Sequence, residues 1–195
     1  FKNSSHILLK TSQENYCEQV IDGSVGSDML RQNSIYTLDF DRSEIGLIED
    51  LNAQFLKDNG FKEIQSIFYK DKIELVININ WKDYKFIFDL GYNGTFSHKM
   101  NKILLEKLAD GYSYNYIATS TLARASTMML FPFSKFYINK IGYSGALTMG
   151  DDLENRMGLG FIKGFNWIID YNDKKVYLKK NFTPIDTNII TNNYK

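Results

Sequence analysis

One cysteine, Cys17, and two histidines, His6 and His98, are all the thiol and imidazole ligands that this 195-residue chain offers. A single thiol excludes a disulfide framework within the chain and leaves a zinc cluster out of reach. Cys17 reads as a small buried or half-buried thiol. A Cys–His hydrolase would need a supporting motif around a histidine, and neither histidine has one. Net charge is lacking too, because 23 basic residues balance 23 acidic ones. No basic block stands out, so nothing points to nucleic acid. No apolar run is long enough for a membrane span, and no signal-peptide pattern is present. The chain opens at Phe1 rather than at methionine and reads as a trimmed or processed piece. Export to a bacterial periplasm or cell surface and residence in the cytoplasm are equally compatible with it.

What is present is apolar and aromatic residues, 44% and 15% of the chain, as expected of a strand-rich globular protein long enough to bury a core. The most informative feature is an internal repeat. Residues 21–32, Ile-Asp-Gly-Ser-Val-Gly-Ser-Asp-Met-Leu-Arg-Gln, match residues 153–164, Leu-Glu-Asn-Arg-Met-Gly-Leu-Gly-Phe-Ile-Lys-Gly. Each runs apolar, acid, two variable, apolar, Gly, two variable, two apolar. Residues 35–40 then answer 166–171, and Ile45 and Leu47 answer Val176 and Leu178. Each copy predicts a strand entering Gly26 or Gly158, where a backbone can approach closely. A helical turn follows with Met29-Leu30 or Phe161-Ile162 inward, and then a hairpin around Asp41-Arg42-Ser43 or Asn172-Asp173-Lys174. A spacing of roughly 131 residues is too long for a solenoid and implies duplicated domains. The division expected is a remnant of a first lobe over 1–50, a connector over 51–65, a complete second lobe over 66–182 and a loose Asn/Lys-rich tail over 183–195.

Within the connector, Asp58-Asn59-Gly60 predicts a turn. Ile73, Leu75, Ile77 and Ile79 alternate with Glu74, Val76, Asn78 and Asn80, which predicts a strand buried on one side. Trp81-Lys82-Asp83 reads as a turn, and Tyr84, Phe86 and Phe88 as one face of the return strand. Ser97 reads as a helix N-cap, with Met100, Ile103, Leu104 and Leu108 on one helical face and Gly111 at its end. Segments 112–121 and 127–141 read as strands.

The chemistry-bearing candidate is Phe86-Ile87-Phe88-Asp89-Leu90-Gly91-Tyr92-Asn93-Gly94. An apolar strand delivers a carboxylate at its end, a glycine two residues on permits a tight turn, and a polar, glycine-containing stretch follows. The segment resembles the active-site loop of aspartic peptidases, apolar-apolar-Asp-Thr/Ser-Gly. Met157-Gly158 is similar to the apolar-Gly element that supports that loop from behind, and 158–178 resembles the end of a bacterial retropepsin-like or pepsin-like lobe. The resemblance implies an all-β acid-protease barrel lobe with short helices and peptide-bond hydrolysis by a water held between two aspartates, one from each of two lobes. Two such carboxylates share one proton, and the pair titrates as a unit. Asp89 would be one half of the dyad, with Leu90, Gly91, Tyr92, Asn93 and Gly94 as its loop and Met157 and Gly158 as support. The substrate or ligand would be an extended polypeptide, with no cofactor and no metal. Residues 117–127 fall where the family's flap hairpin lies.

Two departures stand against that pattern. Leu90 replaces the hydroxyl that normally locks the two loops together, and no second aspartate in the chain occupies an equivalent loop. The partner would come from a missing first lobe or from a second copy of the chain. A catalytically inactive peptide-binding module of the same fold, a single-lobe dimer and an unrelated β-domain are the alternatives. Asp151-Asp152 with Glu154 reads as a solvated loop rather than a cation site. Gly142, Gly145 and Gly150 read as turn glycines without a phosphate-loop pattern. Trp81 reads as packing on a turn and Trp167 as core.

Overall fold

The computed structural model describes residues 14–16, 19–21, 35–70, 72–79, 81–101, 103–104, 114–119, 125–151 and 153–181. His6, Cys17, Gly26, Met29-Leu30, Leu108, Gly111, Asp152 and the tail expected over 183–195 lie outside these residues. Strands β1 (Glu14–Tyr16) and β2 (Gln19–Ile21) form a small hairpin. Next come β3 (Ile35–Asp39), β4 (Glu44–Leu47), helix α1 (Ala53–Asp58), β5 (Lys62–Ile64) and β6 (Ser66–Phe68). The chain continues through β7 (Ile73–Ile79), β8 (Lys82–Phe88), β9 (Phe96–Lys99), β10 (Tyr114–Thr119), β11 (Ala125–Ile138) and β12 (Ile141–Gly150). It ends with β13 (Arg156–Met157), α2 (Leu159–Ile162), β14 (Phe165–Asp170) and β15 (Lys175–Lys180).

The protein is all-β with short helices, and its centre is a closed six-stranded barrel. The ring runs β11-β12-β9-β13-β8-β7 and closes where Phe136 and Tyr137 of β11 pair with Ile79 and Asn78 of β7. Strand β6 extends it beside β7, and β10 beside β11. The alternation read in 73–79 is the barrel wall: Ile73, Leu75, Ile77 and Ile79 are buried, and their intervening neighbours are half-buried. A second, five-stranded sheet, β4-β3-β14-β15-β5, packs one face on the barrel. Tyr36, Leu38, Trp167, Ile169, Val176 and Leu178 from that face join Leu75, Phe86, Phe96 and Phe136 in one core. Trp167 is core as expected, and its indole N–H donates to the Ile162 carbonyl at 2.8 Å. The sheet's other face carries Ile35, Ile168 and Tyr177 under Phe55 and Leu56 of α1.

The hairpin part of the repeat has the same register and the same turn hydrogen bonds in both copies within this sheet. Asp39 faces Glu44 and Asp170 faces Lys175, so both hairpins have the same register 131 residues apart (170 minus 39). In each, the strand-end aspartate accepts the N–H groups two and three residues on: Asp41 and Arg42 on Asp39, Asn172 and Asp173 on Asp170. In each, one residue takes a left-handed conformation, Ser43 at φ 57° and Lys174 at φ 55°. The hairpins also pair with one another, with Thr37 opposite Ile168. Those two residues are themselves repeat equivalents, so a local twofold axis passes between them.

Several expectations are corrected. The connector contains α1, whose N-terminus is capped by Asn52 accepting from the Phe55 N–H at 2.8 Å; the turn at Asn59-Gly60 follows it, with Gly60 at φ 74°. Ser97 is not an N-cap but a buried residue of β9, because β9 lies between β12 and β13 and Phe96, Ser97 and His98 are all buried. Asn101 does the capping, accepting from the Leu104 N–H at 3.1 Å. Leu104 is buried, whereas Ile103 is 57% exposed and does not share its face. Lys82 and Asp83 belong to β8 rather than to a turn, and Trp81 sits at φ 66°, exposed and stacked on Tyr137. Gly142, Gly145 and Gly150 are not turn glycines but lie within β12, where a Cβ at Gly145 would come within 2.9 Å of Thr95.

Candidate functional site

Strand β8 carries Asp89 to the rim of the barrel. The strand is held open at this end because β13 inserts between β8 and β9, parallel to the first and antiparallel to the second. The Ile87 N–H donates to the Asn155 carbonyl at 2.8 Å, and the Asp89 N–H to the Met157 carbonyl at 3.0 Å. Met157 is fully buried, which anchors β13 in the core. Asn155 fixes the same segment from both sides: its Oδ1 accepts the Lys99 N–H and its Nδ2 donates to the Lys85 carbonyl.

The loop 89–95 folds over the N-terminus of α2. Gly158 N–H donates to Thr95, Leu159 N–H to Tyr92 and Gly160 N–H to Gly94, at 2.9, 2.7 and 3.1 Å. A Cβ at Gly158 would lie 2.3 Å from the carbonyl oxygens of Tyr92 and Gly94, so no side chain fits there. Thus Asp89, Leu90, Gly91, Tyr92, Asn93, Gly94, Met157 and Gly158 are brought together in space. The sequence separates the two groups by more than 60 residues (157 minus 94).

Both oxygens of the Asp89 carboxylate are engaged. Its Oδ1 accepts the Gly91 N–H at 2.9 Å, and its Oδ2 accepts Arg156 Nη1 at 2.8 Å. The Asp89 side chain is 22% exposed and that of Arg156 43%. Arg156 Nη2 reaches Glu154 Oε2 at 2.6 Å, so the guanidinium bridges two carboxylates. That arrangement raises the Arg156 pKa above its ordinary value: the Glu154 hydrogen bond contributes most, burial opposes it, and the charge of Asp89 adds to it. Arg156 was not singled out from the sequence. Only the strand pairing reveals it: one residue before Met157-Gly158, it falls opposite Ile87 and so projects from the same sheet face as Asp89, two residues beyond Ile87.

Leu90, where the family pattern has a hydroxyl, is 37% exposed. Ile87 also lines a shallow groove of about 590 Å³ whose walls include Lys85, Lys99, Leu153 and Glu154. Strands β10 and β11 form the hairpin expected over 117–127, with Thr119 opposite Ala125; its tip, 120–124, lies outside the described residues. Glu154 is committed to Arg156, and among the described residues no three His, Cys, Asp or Glu side chains cluster to hold a metal. His98 is buried against Tyr84 and Phe86, away from Asp89's face; its Nδ1 meets the Lys99 carbonyl and its Nε2 has no partner. Among the described residues no helix is long and apolar enough to cross a membrane. No family model matches the chain and no curated protein matches it, so the site is read from its own geometry.

Proposed function

We propose that residues 66–182 form a lobe of the aspartic-peptidase type that binds an extended polypeptide, with Asp89 held in an ion pair instead of serving as half of a working dyad. The observation that carries this reading is the contact of Arg156 Nη1 with Asp89 Oδ2 at 2.8 Å. A dyad carboxylate shares one proton with its twin and holds a water between the two. A permanently charged guanidinium seated on that carboxylate competes with both tasks. Leu90 points the same way, since it supplies no hydroxyl to lock a facing loop.

The lobe type is supported by the loop-and-glycine arrangement: a strand-end Asp, a glycine donating to its Oδ1, and a second glycine packed against the loop's carbonyls. Binding of an extended peptide is supported by β10. Among the described residues it is one of the two edge strands of its sheet, β6 being the other, and an edge of this kind accepts a peptide by main-chain pairing.

The second reading, an aspartic endopeptidase completed by an aspartate from outside this chain, is favoured by the Gly91 N–H on Asp89 Oδ1 and by the partial exposure of Arg156, which leaves it room to swing aside. The full-length protein incubated with a mixture of unstructured peptides from acid to neutral pH separates the two. Retained but intact peptides are the expected result. Cleavage that disappears in Asp89→Asn and rises in Leu90→Thr or Arg156→Met would establish the endopeptidase instead. Neither retention nor cleavage would refute both.

A further inference from the structure

At the end of β8 remote from Asp89, the barrel displays a residue at odds with its position. Strands β7 and β8 pair up to Ile79 opposite Lys82, which leaves residues 80 and 81 as the whole turn. A two-residue hairpin loop favours glycine at its second position, where φ is positive. Trp81 occupies that position at φ 66°. The other described non-glycine residues with positive φ are Ser43, Asn139, Lys140 and Lys174, all of them polar. Trp81 is also 87% exposed, so a large apolar ring is left in water. Both features cost stability, and a glycine would remove both. Backbone strain of this kind collects at functional positions.

The ring is firmly placed. The Trp81 N–H donates to Asn78 Oδ1 at 3.1 Å, and Asn78 Nδ2 donates to Asp83 Oδ1 at 2.8 Å. The indole lies on the Tyr137 ring, with centroids 5.7 Å apart and planes 21° from parallel. Tyr137 in turn faces Gly142 across β11 and β12, and a Cβ at Gly142 would come within 3.2 Å of that ring. The Gly142 main chain, the Tyr137 ring and the Trp81 ring are thus successive layers on the outer wall of the barrel, and the last turns one face to solvent. Asn78 pairs with both Tyr137 and Asp83, so these three form one row across β11, β7 and β8. Lys135, two residues before Tyr137, is exposed on the same face of β11.

We propose that the outer face of Trp81 is the stacking platform of a glycan-binding site and takes a pyranose ring of a neutral polysaccharide. A pyranose offers a flat face of C–H bonds, which packs on an aromatic face, and a rim of hydroxyls, which needs hydrogen-bonding partners. Asn78, Asp83 and Lys135 place such groups beside the indole. A cationic ligand would meet Lys82 and Lys135 instead of a carboxylate cage. A lipid surface would call for a ring projecting from the wall, not one laid flat on Tyr137. Trp81 precedes β8 and Asp89 follows it, roughly 25 Å away along the strand. Failure of this proposal therefore leaves the peptide-binding reading untouched.

Titration of the protein with cellohexaose and with chitohexaose, followed by tryptophan fluorescence and calorimetry, tests it. Trp167 is buried, so the solvent-exposed emission belongs to Trp81. The expected result is saturable binding of at least one hexamer with a blue shift of that emission. Trp81→Gly is expected to weaken this binding at least ~10-fold by calorimetry, while its urea midpoint stays at or above the wild-type value because glycine suits the turn. Saturable binding of neither hexamer, or binding that survives Trp81→Gly, would overturn the proposal. A midpoint that falls in Trp81→Gly would overturn it too, by making Trp81 a packing residue. So would a blue shift produced by a proline-rich peptide or by phospholipid vesicles in place of the hexamers.

Discussion

Gly158→Ala is the sharpest perturbation of the Asp89 loop. The added Cβ would sit 2.3 Å from two carbonyl oxygens, Tyr92 O and Gly94 O, and 2.5 Å from Tyr92 Cδ1. Two of these three atoms are backbone, so no rotamer change relieves the clash. Overpacking of this kind costs about 1–3 kcal/mol. Withdrawal of the loop also loses hydrogen bonds to Tyr92 and Gly94, at about 0.5–1.5 kcal/mol each. The sum is about 2–6 kcal/mol, a large part of the roughly 5–15 kcal/mol that holds a domain folded. Gly91→Ala provides the contrast: its Cβ meets only the Asp89 Oδ1, at 3.3 Å, and that side chain can shift. Its cost should stay below about 1 kcal/mol. Urea unfolding followed by the fluorescence of buried Trp167 reads both, with equal m values required. Equal midpoints for the two variants, or a Gly158→Ala midpoint matching the wild type, would refute the close packing of α2 against the loop.

The paired hairpins make a second prediction. Asp170 is buried and accepts two N–H groups, whereas Asp39, with the same bonds, has a side chain 30% exposed. Asp170→Ala should therefore cost about 2–3 kcal/mol and Asp39→Ala about 1 kcal/mol or less in the same urea assay; equal losses would contradict it. His98 makes a third. Burial lowers its pKa from the ordinary 6.5, with the Lys99 carbonyl opposing. The unfolded chain thus binds the proton first as pH falls, so the His98 contribution is complete above about pH 6.5 and is lost as pH drops through 6.5 toward the lower folded value. His98→Phe should flatten the stability–pH curve as pH falls below 6.5; an unchanged slope would contradict this assignment.

Where burial is one-sided, the sequence was legible. Residues 73–79 alternate because β7 faces the core with every second side chain, and the two hairpins could be matched because each needs an aspartate at the strand end and a left-handed residue before the return. Where burial is two-sided or absent, it was not. Phe96, Ser97 and His98 are buried in succession, which erases the period and left Ser97 open to reading as a cap. Helix α1 buries no residue fully and so has no strong apolar stripe to announce it. The glycines of β12 mark close packing within a strand, a use that composition does not distinguish from a turn. At the site, the Asp89 loop and its glycine support were readable as motifs. The Arg156 contact was not, because it depends on β13 inserting parallel to β8, a pairing between residues almost 70 positions apart (156 minus 87).

The most direct test of the Asp89 site is an amide and arginine side-chain NMR titration of the protein with extended peptides, with the peptides checked afterwards by mass spectrometry. The account predicts shifts concentrated at Leu90, Gly91, Tyr92, the Arg156 guanidinium and the β10 amides, with every peptide recovered whole. Peptides recovered cut, or shifts that bypass the Asp89 loop, would contradict it.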